Sequence, residues 1–78
     1  MKVGIDFVGG WSIMLHDPQG RNRYHKGSII STFRLLNDDL GETLLDRLVQ
    51  IGADLTFEES YVFVMVKNSN IENIKFFI

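Results

Sequence analysis

Seven residues constrain the fold of this chain more than any others: Tyr61-Val62-Phe63-Val64-Met65-Val66-Lys67. Six apolar positions in succession are too few to span a bilayer. Three valines also make a poor helix, because branching at Cβ restricts the side chain against the preceding turn. A strand that is apolar on both faces belongs in the middle of a sheet with cover on each side.

The flanking sequence supplies the neighbours. Val3, Ile5 and Phe7 alternate with Lys2, Gly4 and Asp6, the pattern of a half-buried strand. Trp11, Ile13 and Leu15 continue in phase beyond Gly9-Gly10. A three-residue loop, Val8-Gly9-Gly10, pairs Phe7 with Trp11 and keeps both apolar sets on one face, whereas a two-residue loop would split them. Asp17-Pro18-Gln19-Gly20 has the residue order of a type I turn and predicts a second hairpin onto residues 21–26. Residues 28–36 fit either a strand or a helical face, and their β-branched content favours the strand. Asp39 and Glu42 read as a capping box for a helix over 39–51, with Leu40, Leu44, Leu48 and Ile51 on one stripe and Gly52 as the stop. Leu55-Thr56-Phe57 predicts a short strand, Asn68-Ser69-Asn70 a turn, and the last residues a strand ending in an apolar edge, Phe76-Phe77-Ile78.

These elements predict an α+β fold in a single domain spanning residues 1–78. An antiparallel β-sheet of about five to six strands, with two N-terminal hairpins, packs on one α-helix in the order β-β-β-(β)-α-β-β-β. A helix of this length covers one face of a sheet only. Either the sheet curls closed or a second copy covers it, so a homodimer or higher oligomer is expected. The 78 residues hold no cysteine, so neither a disulfide framework nor a thiolate metal site is available to a small domain that buries modest area. Lys2 is followed by a strand-like run broken at Gly9-Gly10 rather than by a long apolar helix. No signal peptide is expected, and a cytoplasmic location is.

Charge is unevenly distributed. Four cations and no acid lie between Pro18 and Asn37, whereas seven acids face Arg47 alone between Asp38 and Glu59. With the second hairpin closed at Gly20, His16 stands opposite Arg21, Met14 opposite Arg23 and Ser12 opposite His25. The outer face of three strands then presents Lys2, Ser12, His16, Arg21, Arg23 and His25, able to grip phosphate or carboxylate. The plain alternative is the solvated side of a one-sided sheet. Asp38, Glu42 and Asp46 form a separate acidic face on the helix, favourably near its positive end.

The row Asp6, Ser12, His25 imitates a hydrolase triad, but no strained elbow holds the serine and no oxyanion donors accompany it. His16, Asp17 and His25 fall short of a zinc ligand set, and no metal or cofactor is assigned. Gly4-Ile5-Asp6-Phe7-Val8-Gly9-Gly10 resembles the Gly-Ile-Asp-x-Gly-Gly hairpin that opens the sugar-kinase and actin-like ATPases. Asp6 likewise resembles the first-strand aspartate of nucleases with the ribonuclease H fold. The resemblance implies an enzyme centred on Asp6 with a divalent cation beside it. The glycine pair, however, is displaced by one residue, and Asn68 rather than an acid follows the central strand. Asp6 is therefore read as a surface acid, and no catalytic residue is assigned.

What remains is a non-enzymatic binding or inhibitor protein that occupies a surface of a larger protein or nucleoprotein partner. Small cysteine-free chains without motifs are common among phage-encoded inhibitors of host defence, anti-CRISPR proteins included, and the likeness here is one of general character. The alternatives are an oligomer that sequesters a phosphorylated nucleotide messenger and a module for the nucleic-acid backbone.

Overall fold

The computed structural model describes residues 2–16 and 24–77. The described residues form a small α+β fold of two antiparallel sheets and one α-helix. The strands are β1 (Lys2–Phe7), β2 (Trp11–His16), β3 (His25–Lys26), β4 (Ile30–Leu36), β5 (Asp54–Phe57), β6 (Tyr61–Lys67) and β7 (Ile71–Phe77), and the helix α1 is Glu42–Gln50. One sheet has the order β2-β1-β7 and the other β3-β4-β6-β5. The expected single sheet is thus two, which share one core.

Alternation decides what each strand contributes to that core. Val3, Ile5 and Phe7 of β1 and Ile13 and Leu15 of β2 enter it from the first sheet. Phe33 and Leu35 of β4 and Val62, Val64 and Val66 of β6 enter it from the second. Each such side chain contributes about 1.5–3 kcal/mol by leaving water. The expectation of cover on both faces of β6 holds on one side. Its valines are buried, but Tyr61, Phe63 and Met65 look outward, beside exposed Ile30 and Leu36 of β4.

The first hairpin has the predicted register, Phe7 opposite Trp11, with Gly9 and Gly10 both at positive φ in the loop. The Trp11 ring stacks on Phe7 at 4.1 Å between centroids, and the Arg47 guanidinium lies 5.5 Å from its centroid on α1. The helix is thereby pinned to the end of the first sheet. Leu48 is its one fully buried residue, with Leu44 and Ile51 packed against the core. Its C-terminus is a Schellman motif: Gly52 N–H donates to the Val49 carbonyl and Ala53 N–H to that of Leu48, with Gly52 at φ 75°. The start differs from expectation. Leu40 is extended and Gly41 is the N-cap, so Asp39 falls in a separate 3₁₀ turn, Asn37–Asp39, and makes no capping box with Glu42.

The chain passes between sheets at a second 3₁₀ turn, Asn68–Asn70, and a polar network fixes that crossing. Ser31 Oγ is fully buried and donates to Asn68 Oδ1 at 2.5 Å. Its one proton being committed there, Ser31 accepts from Tyr24 Oη at 3.1 Å. Asn68 Nδ2 in turn donates to the Gly27 carbonyl at 3.0 Å, and Asn68 N–H to that of Ile29. A tight turn of Ser28-Ile29, closed by Gly27 N–H to the Ile30 carbonyl, folds β3 back on β4. A Cβ on Gly27 would lie 2.4 Å from the Ile30 oxygen, so only glycine fits.

This hairpin corrects one expectation about the site. His25 stands opposite Thr32 in the second sheet, not opposite Ser12, because the Gly27 turn and the Tyr24–Ser31 bond tie β3 to β4. The predicted turn at residues 17–20 lies outside the described residues, as do Arg21 and Arg23.

Candidate functional site

The outer face of the first sheet gathers what remains of the predicted binding surface. Registers of β1 with β2 and with β7 arrange nine residues in three rows. The first is Phe77, Lys2 and His16. The second is Lys75, Gly4 and Met14. The third is Asn73, Asp6 and Ser12. Lys2 and His16 are therefore brought together as expected, while Ser12 lies two rows away and His25 is on the other sheet.

The acid on this face is held by its neighbours. Ser12 Oγ donates to Asp6 Oδ1 at 2.7 Å, and Lys75 Nζ lies 3.2 Å from Asp6 Oδ2. The Ser12 hydrogen bond first, then the Lys75 ammonium, hold the Asp6 carboxyl below the ordinary aspartate value. Ser12 acts here as a donor to a carboxylate, so the triad-like row has neither its histidine nor an activated hydroxyl.

Gly4 shapes the centre of the face. It is the only residue of β1's outward set without a side chain, and the space above it is taken by its neighbours. A Cβ there would be 3.3 Å from Phe77 Cε2 and 3.6 Å from Met14 Cε. An aromatic ring and a thioether thus lie over the strand, still 42% and 50% exposed. Lys2, His16 and Lys75 surround them. The result is a flat apolar centre with a basic margin, Lys2 and His16 at one end and Lys75, paired with the one carboxylate, Asp6, at the other.

Lys75, Phe77 and Asn73 were not among the residues expected on this face. The alternation of β7 puts 73, 75 and 77 on one side, but nothing local says that the strand at the end of the chain pairs with the one at its start. Of the acidic set, Glu42 opens α1 and Asp46 follows one turn on along the same face, while Asp38 sits in the 3₁₀ turn before the helix, all exposed.

An open cleft of about 450 Å³ lies between β3 and β7 with Tyr24, Lys26, Asn68, Glu72 and Phe76 among its lining. Lys26 and Glu72 share its wall, so the described lining offers a phosphate no excess of positive charge. Among the described residues no three His, Asp or Glu side chains stand close enough to hold a metal ion, and no helix is long and apolar enough to cross a membrane. No family model, curated protein or solved structure matches the chain.

Proposed function

We propose that this is a non-enzymatic binding protein that acts by occupying the surface of a larger partner, with the outer face of β2-β1-β7 as its contact surface. The observation that carries this reading is the Phe77–Met14 patch over Gly4, ringed by Lys2, His16 and Lys75. Aromatic and methionine side chains supply contact area at a protein interface, and the cationic margin selects a partner whose matching surface is apolar and rimmed by carboxylates. Inhibition of a host-defence nucleoprotein by surface occupation, in the manner of an anti-CRISPR protein, is one activity that such a surface would support.

A nucleic-acid strand is the second reading, favoured by the same exposed Phe77 ring among cations, since bases stack on aromatic rings and phosphates pair with lysine. One variant addresses both. Lys2→Glu/Met14→Glu/His16→Glu changes three exposed positions and should keep the wild-type circular dichroism spectrum and melting point. Affinity capture from host extract should retain a partner with the wild type and lose it at least tenfold with the variant. Equal retention refutes the surface. Binding of a fluorescent single-stranded oligonucleotide by the wild type, lost in the variant and steeply salt-dependent, would move the reading to nucleic acid.

A further inference from the structure

The outer face of the other sheet, β3-β4-β6-β5, carries apolar side chains along its two middle strands, with Arg34 of β4 and Lys67 of β6 among them, and Asp54 and His25 on its edge strands. Ile30, Leu36 and Met65 are 40%, 43% and 37% exposed there, flanking half-buried Phe63 and Tyr61. The Arg34 guanidinium lies over the Tyr61 ring, 4.7 Å from its centroid. Across the sheet the registers place Asp54, Met65, Thr32 and His25 in a single row, with the acid on one edge strand and the histidine on the other.

We infer that this face docks on a second copy of the chain, about a twofold axis that runs along the strands between β4 and β6. The row is complementary to itself under that operation and no other in-plane alignment uses both of its ends. The twofold lays β4 over β6 of the second copy and β3 over β5. Asp54 then meets His25 of the second copy, and His25 meets Asp54, so two identical polar pairs close the margins of one strip, within which the Lys67 stem lies over Ile30 of the second copy. At the same time Arg34 comes over Phe63 of the second copy, and Thr32 over Met65. Such isologous contacts are the common solution for small homo-oligomers. The sheets would pack face to face, roughly 10 Å apart.

Area sets the class of interface. Strands of two, seven, seven and four residues, roughly 4.8 Å apart, give a footprint of about 300 Å² in projection. Both copies together would bury on the order of 1,000 Å², the lower bound for a specific interface. An interface of that size belongs to a dissociable dimer rather than an obligate assembly. It leaves the β2-β1-β7 face of each copy outward, so it stands or falls independently of the function proposed above.

Sedimentation equilibrium of the full chain from 1 to 500 µM tests it. A monomer–dimer equilibrium is expected for the wild type, and Met65→Glu, at an exposed position, should raise Kd at least 30-fold with the melting point of dilute protein unchanged. Asp54→Lys alone should weaken the dimer about tenfold, and Asp54→Lys with His25→Glu should restore it, because the swap rebuilds both edge pairs. A wild type that stays monomeric at 500 µM would leave the face to a foreign partner and overturn the inference. So would a dimer indifferent to Met65→Glu, or a charge swap that restores nothing.

Discussion

Removing the Ser31 hydroxyl tests whether the junction between the two sheets is held by polar bonds. Ser31 has no exposed surface and is the one buried polar residue among those described. Its Oγ both donates to Asn68 and accepts from Tyr24. Ser31→Ala deletes the donor that satisfies Asn68 Oδ1. It also removes the acceptor for Tyr24. A net hydrogen bond is worth about 1 kcal/mol, and leaving a half-buried carbonyl without its donor costs about 1–3 kcal/mol. Asn68 lines the open cleft, so water can reach part of the way and the lower half of that range applies. The expected loss is about 2 kcal/mol. For a chain of this length that lowers Tm by roughly 8–16 °C.

The assay is urea unfolding of Ser31→Ala, Asn68→Ala and the double variant. If the two side chains act through one bond, the double variant should be about 1 kcal/mol more stable than the sum of the single losses predicts. Losses that simply add would mean that Ser31 and Asn68 contribute separately and that the bond between them does not hold the crossing. A Ser31→Ala loss below about 0.5 kcal/mol would refute the accounting altogether.

Gly27→Ala forces a methyl carbon against the Ile30 carbonyl oxygen, 2.4 Å away and part of the backbone. About 2 kcal/mol should be lost in the same urea titration, since the clash cannot be relieved by a side-chain rotation; an unchanged midpoint would show that the β3–β4 turn is not tight. Asp6→Asn addresses pH. The folded carboxyl titrates below its unfolded value, so the ionised group stabilises the protein above the unfolded pKa, near 3.8, and that contribution is lost as pH falls through the folded value. Wild type should exceed Asp6→Asn in Tm at pH 7, and the gap should narrow once pH falls below about 5 and go on closing as pH drops through the folded value. A gap that is constant over this range would mean that Ser12 and Lys75 do not favour the charged form.

Much of the local structure is written in the alternation of the strands, and little of the long-range pairing is. Tyr61–Lys67 announces itself as the central strand because a run of valines has few other uses. The Phe7–Trp11 register follows from the requirement that Val3, Ile5, Ile13 and Leu15 share a face. Gly52 marks the helix end because a left-handed residue there lets two amide groups reach the last carbonyls. The helix start is less plainly marked, since Asp39 and Glu42 have capping-box spacing but the extended backbone at Leu40 separates them. Period-two alternation states which side a residue faces and is silent on which strand lies alongside.

That silence explains why only half of the outer face of β2-β1-β7 is legible in the sequence. Lys2, His16 and, two rows on, Ser12 share one face because a short hairpin fixes them, with a loop closure that is cheap in entropy. The third strand was open to choice between a neighbour supplied by the next turn and one supplied from the far end of the chain. β7 occupies β1's second edge, bringing Lys75 and Phe77 to the face, and β3 is held on the other sheet. Two sequence features bear on that choice: a serine at a core-facing position of β4, and an asparagine at the end of β6, 37 residues apart. A buried hydroxyl needs a partner, and one supplied from the sheet-to-sheet junction draws β3, β4 and that junction into a single unit. With β3 held there, the edge of β1 is left to β7, and the surface composed of Lys2, His16, Lys75, Met14 and Phe77 follows from where Ser31 finds its bond.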